Sequence, residues 1–372
     1  MKFAFYQMGH SVTATNAFAR KIGIETVQVE SPNNETMSKG ILYAPEFSCF
    51  PFKVVLGLLL EAMEKGADVF VIPIFKSISA CQSADFGIAH KYILQKLQKK
   101  EKKFEIILLD SMNPKAITKE FQKYVPNVTL KKVSEGLLLA GQKIGLMETI
   151  DEYYRKIYIA TNKKKAELFI NKWRKQIEKT DSIVELYTMH GKIKDDYKKY
   201  PEFDNEKILK IAVIGDIYTL NEPFINNNIF ERLCDLGIYP EQGIRWSEAF
   251  ELPFHINRED IVLTNESRKY MRHNVGAYAQ DTIKDAIKYA ERGFDGIIQI
   301  YPFSCMPEIT VRNILPKIGS EYNIPILYLP IDEQTGDAGF ATRIEAFVDL
   351  IKIRKNRDNF SVVDTVNEVT TK

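Results

Sequence analysis

Cysteine is scarce in this chain. Four occur among 372 residues, Cys49, Cys81, Cys234 and Cys305. They stand far apart and form no Cys-x-x-Cys pair, which excludes a local zinc or ferredoxin-type motif and argues against a disulfide framework. Charge of one sign is also lacking. Lys+Arg 51 against Asp+Glu 49 leaves a net +2, so there is no electrostatic footprint for nucleic acid or an anionic membrane. No stretch approaches the roughly 18 uninterrupted apolar residues of a membrane-crossing helix. The opening Met-Lys-Phe-Ala-Phe-Tyr-Gln reads as a strand rather than a signal peptide. Neither a Gly-x-x-x-x-Gly-Lys-Ser/Thr loop nor a GxGxxG is present, so no ATP site of the chain's own is predicted. These absences describe a cytoplasmic protein with neither nucleic acid nor membrane as partner.

What is present is ordinary globular material, 45% hydrophobic and 27% charged, with length for two or three domains at roughly 150 residues each. Residues 2–7, 68–73 and 104–109 read as strands, with 25–29 extended. Residues 13–22, 52–65 and 85–97 read as helices. From about 115 to 205 strand signals vanish and Lys, Glu and Tyr rise at helical spacing. The lysine triple at 163–165 reads as a solvated helix end. Alternation returns with strands at 210–215, 296–301 and 324–329 and helices at 228–235, 282–292, 311–318 and 341–353. Such alternation predicts an α/β fold with parallel sheets. It takes the form of two Rossmann-like lobes, 1–125 and 207–355, joined by a helical connecting segment, 126–206. A cleft lies between the lobes, and a loose tail spans 356–372.

The two halves echo each other. Glu64-Lys65-Gly66-Ala67-Asp68 precedes one buried strand, and Glu291-Arg292-Gly293-Phe294-Asp295 precedes another. A second echo pairs Ser48-Cys49-Phe50-Pro51 with Ser304-Cys305-Met306-Pro307. Proline belongs in the first turn of a helix, so both cysteines fall just ahead of a helix N-terminus, and Cys81 precedes the helix at 85–97. In an open parallel sheet ligands bind at the carboxyl ends of strands, near helix N-termini. The free N–H groups and partial positive charge there lower a thiol's pKa and favour the thiolate. Thiolates are the ligands of iron–sulfur clusters. If the lobes face each other, three distant sulfurs meet. Cys234 lies within an amphipathic helix and reads as core filler.

The segments Pro45-Glu46-Phe47-Ser48-Cys49-Phe50-Pro51-Phe52-Lys53, Ile225-Asn226-Asn227-Asn228, 301–307 and Asp332-Glu333-Gln334-Thr335-Gly336-Asp337-Ala338-Gly339 together resemble one family. It is the iron–sulfur proteins related to the D component of 2-hydroxyacyl-CoA dehydratases, in particular their stand-alone acyl-CoA dehydratase activase-related branch, with the double-cubane-cluster reductases more distant. The resemblance spans about residues 1–355. It implies a cluster held by Cys49, Cys81 and Cys305, a 4Fe-4S cube or part of a double cubane, with one iron lacking a cysteine. It further implies an oxygen-sensitive protein for electron transfer or reductive chemistry, driven by a separate ATP-hydrolysing activase. A second dehydratase-like subunit or a homodimer, and an acyl-CoA or other small-molecule substrate, follow from the same resemblance.

Other residues carry weaker signals. Glu333 is a candidate for proton transfer and Arg343 for pairing with an anionic substrate group. Their bland alternatives are a turn with a helix cap and a surface ion pair. Ser48 and Ser304 flank two of the cysteines, with Glu46 and Lys53 beside Cys49; Lys53 either balances cluster charge or faces solvent. His10 stands near the same rim, and residues 226–228 read as a turn or a cap. Two other function classes remain open: an accessory scaffold or electron-relay subunit without its own turnover, and a metal-free binder of a small anionic ligand.

Overall fold

The computed structural model describes residues 1–73, 81–97, 104–109, 112–204, 208–249 and 258–369, excluding the side chains at 83, 84, 249, 258 and beyond 356. The chain opens with β1 (Lys2–Phe5), α1 (Ser11–Ile22), β2 (Glu25–Thr26), α2 (Asn34–Tyr43), α3 (Phe50–Glu64), β3 (Val69–Pro73), α4 (Ser83–Leu97), β4 (Glu105–Leu109) and α5 (Pro114–Gln122). Three helices follow without a strand, α6 (Leu130–Ala160), α7 (Lys163–Lys179) and α8 (Ile183–Tyr197). Alternation resumes with β5 (Lys210–Gly215), α9 (Ile217–Asn221), α10 (Ile229–Asp235), β6 (Tyr239–Gln242), α11 (Trp246–Ala249), α12 (Arg258–Ser267) and α13 (Ala279–Glu291). The chain closes with β7 (Gly296–Pro302), α14 (Met306–Glu321), β8 (Ile326–Ile331) and α15 (Asp337–Val369).

Two four-stranded sheets result, ordered β2-β1-β3-β4 and β6-β5-β7-β8, with every pairing parallel. This is the two-lobed α/β architecture with a helical connection that the alternation of signals predicts. The lobes share one hydrophobic core, in which Ala4 and Phe70 of the first sheet join Val213 and Ile298 of the second. Helix α3 sits in that core with twelve of its fifteen residues buried. The three connecting helices have their own core around Phe169, Trp173 and Leu186. At 1.5 Å per residue α6 is about 46 Å long, enough to pack on α1 of the first lobe and on α10 and α11 of the second. No described helix is long and apolar enough to cross a membrane.

The first sequence echo is one physical device used twice. Gly66 and Gly293 end α3 and α13 with left-handed φ of 88° and 67°, a conformation only glycine adopts without cost. Each turn delivers an aspartate to the head of the neighbouring strand. The Asp68 N–H donates to the Lys2 carbonyl at 2.8 Å, and its carboxylate accepts the Lys2 N–H at 2.8 Å. Asp295 does the same with Lys210 at 2.9 and 2.8 Å. The second echo is one of sequence and not of topology. Helix α3 leads into β3, whereas α14 leads out of β7. The positional counterpart of Cys305 is therefore Cys81, and Cys49 corresponds to the start of α13.

A candidate site built by three cysteines

Helix α3 begins two residues earlier than the sequence predicts, so Cys49 is itself the N-cap and Pro51 falls in the first turn. Cys305 is the N-cap of α14, with Pro307 in the first turn. Proline has no N–H to leave unpaired there; the next N–H groups are those of Phe52, which donates to the Cys49 carbonyl at 3.0 Å, and of Glu308. Neither sulfur makes a full capping hydrogen bond, yet each of these N–H groups draws its cysteine's pKa down. Cys81 lies between β3 and α4, just past residues 74–80, which, Ser79 and Ala80 of its loop among them, are outside the described residues.

The three sulfurs share one electrostatic neighbourhood. Cys49 responds to the charge of Cys81, Cys305 responds to Cys49, and both respond to Asp216. The Tyr6 phenol, just past β1, responds to Cys49, Asp216 and Cys81. Strand ends from both sheets bring Tyr6, Asp216 and Cys305 to this place, and the α2–α3 connection brings Cys49. None of the four cysteines forms a disulfide. Cys234 stands apart in α10, buried, with its thiol pushed up to about 12 chiefly by burial.

The expected lowering of the thiol pKa values does not occur. Burial pushes Cys49 and Cys305 well above the usual thiol range, Asp216 adds to the rise, and the helix N–H groups offset only part of it. Desolvation of a charge outweighs a helix terminus when no cation stands nearby. Asp216 is itself the N-cap of α9, accepting from the Thr219 N–H and hydroxyl at 2.9 Å each, and burial raises its pKa. Glu308, 1% exposed, accepts from Gln299 Nε2 and Thr282 Oγ1 at 2.8 Å each. Burial raises it to about 8. Under α3, His90 stacks on Phe52 with ring centroids 4.1 Å apart. Burial lowers its pKa to about 4, which keeps the ring neutral.

Over residues 5–240 the sequence matches the family described as the CoA enzyme activase uncharacterised domain (DUF2229). The chain belongs to that family. The matched span holds Cys49, Cys81 and Asp216, while Cys305 lies beyond it. Among solved structures, an uncharacterized protein from Bacillus cereus ATCC 10987, determined at 2.75 Å, is similar over 64% of this chain and 94% of its own. That similarity is at 12% identity with a TM-score of 0.23. No curated protein matches.

The other candidate residues of this family member divide by location. Lys53 does not face solvent: it is buried in α3 and pairs with Glu333 from the loop after β8, tying the lobes together. Glu333 is thereby engaged in a structural ion pair. Arg343 is exposed and donates to the Tyr328 carbonyl. Glu46 is exposed, Ser48 Oγ donates to the Pro45 carbonyl at 2.6 Å, and Ser304 is half-buried. Asn227 and Asn228 have left-handed φ of 51° and 53°, as a turn requires. His10 pairs with Asp151 of α6. Asp216, Tyr6 and Glu308 were not legible as site residues. The available signals were an aspartate directly after the glycine that ends β5, and a glutamate in the first turn behind Cys305.

Proposed function

We propose that this protein is the cluster-bearing partner of an ATP-hydrolysing activase, holding an iron–sulfur cluster on Cys49, Cys81 and Cys305. The observation that carries the reading is that Cys49, at the start of α3, is within electrostatic reach of Cys81, ahead of α4 in the same lobe, and of Cys305, at the start of α14 in the other. Membership of a family described by CoA enzyme activase supports it further.

The donor set fits such a group. Among the described residues no three His, Cys, Asp or Glu side chains close on the position of a single metal ion. A polynuclear cluster is wider than one ion and spreads its thiolates accordingly. A bound cation also reverses the present titration logic, since a coordinating thiol loses its proton outright. When bound, a cluster of this kind supplies low-potential one-electron transfer. The chain's own residues do the rest. The Glu308 N–H favours a thiolate at Cys305, and the Phe52 N–H, although it donates to the Cys49 carbonyl, favours one at Cys49. Burial keeps the Tyr6 phenol protonated and able to donate. The Lys53–Glu333 pair holds the lobes, and hence the ligands they carry, in register. Three cysteines leave one iron of a 4Fe-4S cube for a non-cysteine ligand.

The test is anaerobic reconstitution with iron and sulfide, followed by visible and paramagnetic-resonance spectra of the reduced protein. Broad visible absorption and a cluster signal that a reduced activase regenerates with ATP are the expected results. A colourless protein that takes up no iron overturns the reading.

A further inference from the structure

A second site is built where no cysteine reaches. A cavity of about 820 Å³ lies where the β1–α1 turn, α6, α7 and the α9–α10 segment meet. That volume is in the range of small-molecule sites, about 300–1,000 Å³, and the cavity stands at strand carboxyl ends, where α/β folds bind ligands. Its walls carry both signs of charge. Asp151 holds His10, and Arg174 approaches its other oxygen at 3.9 Å. Glu222 accepts from the Gly9 N–H across the lobe boundary at 2.9 Å, and Glu148 accepts from the Ser247 N–H at 3.0 Å.

Two buried side chains on these walls are incompletely satisfied. Arg155 is 5% exposed, its guanidinium no closer than 4.0 Å to Glu241, and its Nε has no partner. Asn226 is 1% exposed; its Nδ2 is tied to the carbonyls of Thr219 and Leu220, while its Oδ1 has no partner. An unpaired buried donor and an unpaired buried acceptor each cost free energy, and they ask for opposite kinds of ligand group. A simple anion would satisfy Arg155 but face Glu148, Asp151 and Glu222. A simple cation would suit those carboxylates but leave Arg155 and Arg174 beside it.

We propose that this cavity binds a small zwitterion of the amino-acid class, its carboxylate taken by Arg155 and Arg174 and its ammonium by Glu222 and the Asn226 side-chain oxygen. The site is independent of the cysteine site and does not rest on the function proposed above. Calorimetric titration of the full chain with the standard amino acids and glycylglycine, against acetate and methylamine, tests it. Saturable heat is expected from a zwitterion and not from either half-molecule. Arg155→Met should weaken that binding about tenfold or more, the worth of a charge-assisted hydrogen bond. If Arg155→Met fails to fold by circular dichroism, Glu222→Gln replaces it. That variant keeps an acceptor for the Gly9 N–H, loses the charge, and should show the same order of loss. No heat from any zwitterion, equal binding of acetate or methylamine, or unchanged affinity in the folded variant overturns the proposal.

Discussion

The two lobes share strand order and strand-entry clamp, yet they treat their crossover helices differently. Helix α3 is buried almost throughout, by apolar side chains apart from Lys53, while α13, its counterpart before the shared glycine turn, buries Thr282 and Asp285 among its apolar residues. At the same distance ahead of Gly66 and Gly293, the first lobe has Leu58 and the second has Asp285. The cysteines of the candidate site are distributed unequally as well, two from the first lobe and one from the second, where Cys234 stands apart. A repeated scaffold therefore does not imply a repeated site. The clamp is dictated by local backbone geometry, which recurs, whereas each lobe's contribution to the site depends on what the other presents to it.

The sharpest way to break the comparison is at the α2–α3 crossing, for which the strand-entry clamps offer no analogue. A Cβ on Gly57 would lie 1.9 Å from the Thr36 carbonyl oxygen, and one on Gly40 1.7 Å from that of Lys53. Backbone meets backbone there, so nothing flexible can yield. Gly57→Ala should cost more than about 4 kcal/mol or prevent folding, as read by denaturant unfolding and soluble yield. A near-neutral result would mean that α2 does not cover α3.

The inter-lobe pair comes next. Glu333→Ala leaves the Lys53 ammonium buried and unpaired, and should cost about 3–5 kcal/mol. Lys53→Met should cost less, because Glu333 reaches solvent with 21% of its side chain exposed against 7% for Lys53. The double variant should cost less than the sum, a coupling that chemical denaturation measures.

The two clamps can be set against each other. Both aspartates are half-buried, but Asp295 also binds Lys355 at 2.5 Å. Asp295→Ala should cost about 1–3 kcal/mol and Asp68→Ala less; equal costs would show that the Lys355 pair does not separate the two turns.

The remaining effect is one of pH. Asp285 is buried with Oδ2 unpartnered, and burial foremost raises its pKa from 3.8 to about 7. The folded protein keeps this proton to near neutrality, while the unfolded chain releases it in the usual carboxylate range. The stabilisation is therefore full below pH 4 and is lost as pH rises toward 7. Asp285→Asn should flatten this fall in urea unfolding between pH about 4 and about 7; a slope unchanged in the variant would assign it to other groups.

Much of the scaffold was legible because its signals are local. Buried strands such as 296–301 announce themselves by β-branched runs, and the Gly66 and Gly293 stops by composition. Helix starts were less so. Phe50 and Pro51 looked like a lead-in to α3, although proline in the first turn made Cys49 the cap. The match between Cys49 and Cys305 was real as sequence but joined positions that the topology separates. Asp216, Tyr6 and Glu308 carry no spacing rule, since only the packing of one sheet's strand ends on the other's brings them together. The high thiol pKa values were equally hidden, because helix ends are visible in sequence and desolvation is not.

The most direct test is the iron and sulfide content of anaerobically reconstituted single-cysteine variants. Cys49→Ala, Cys81→Ala and Cys305→Ala should each lose most of a wild-type content of about four irons per chain, while Cys234→Ala should retain it. Full iron retention in any of the first three, or loss in Cys234→Ala with its fold intact, would contradict a site shared by the two lobes.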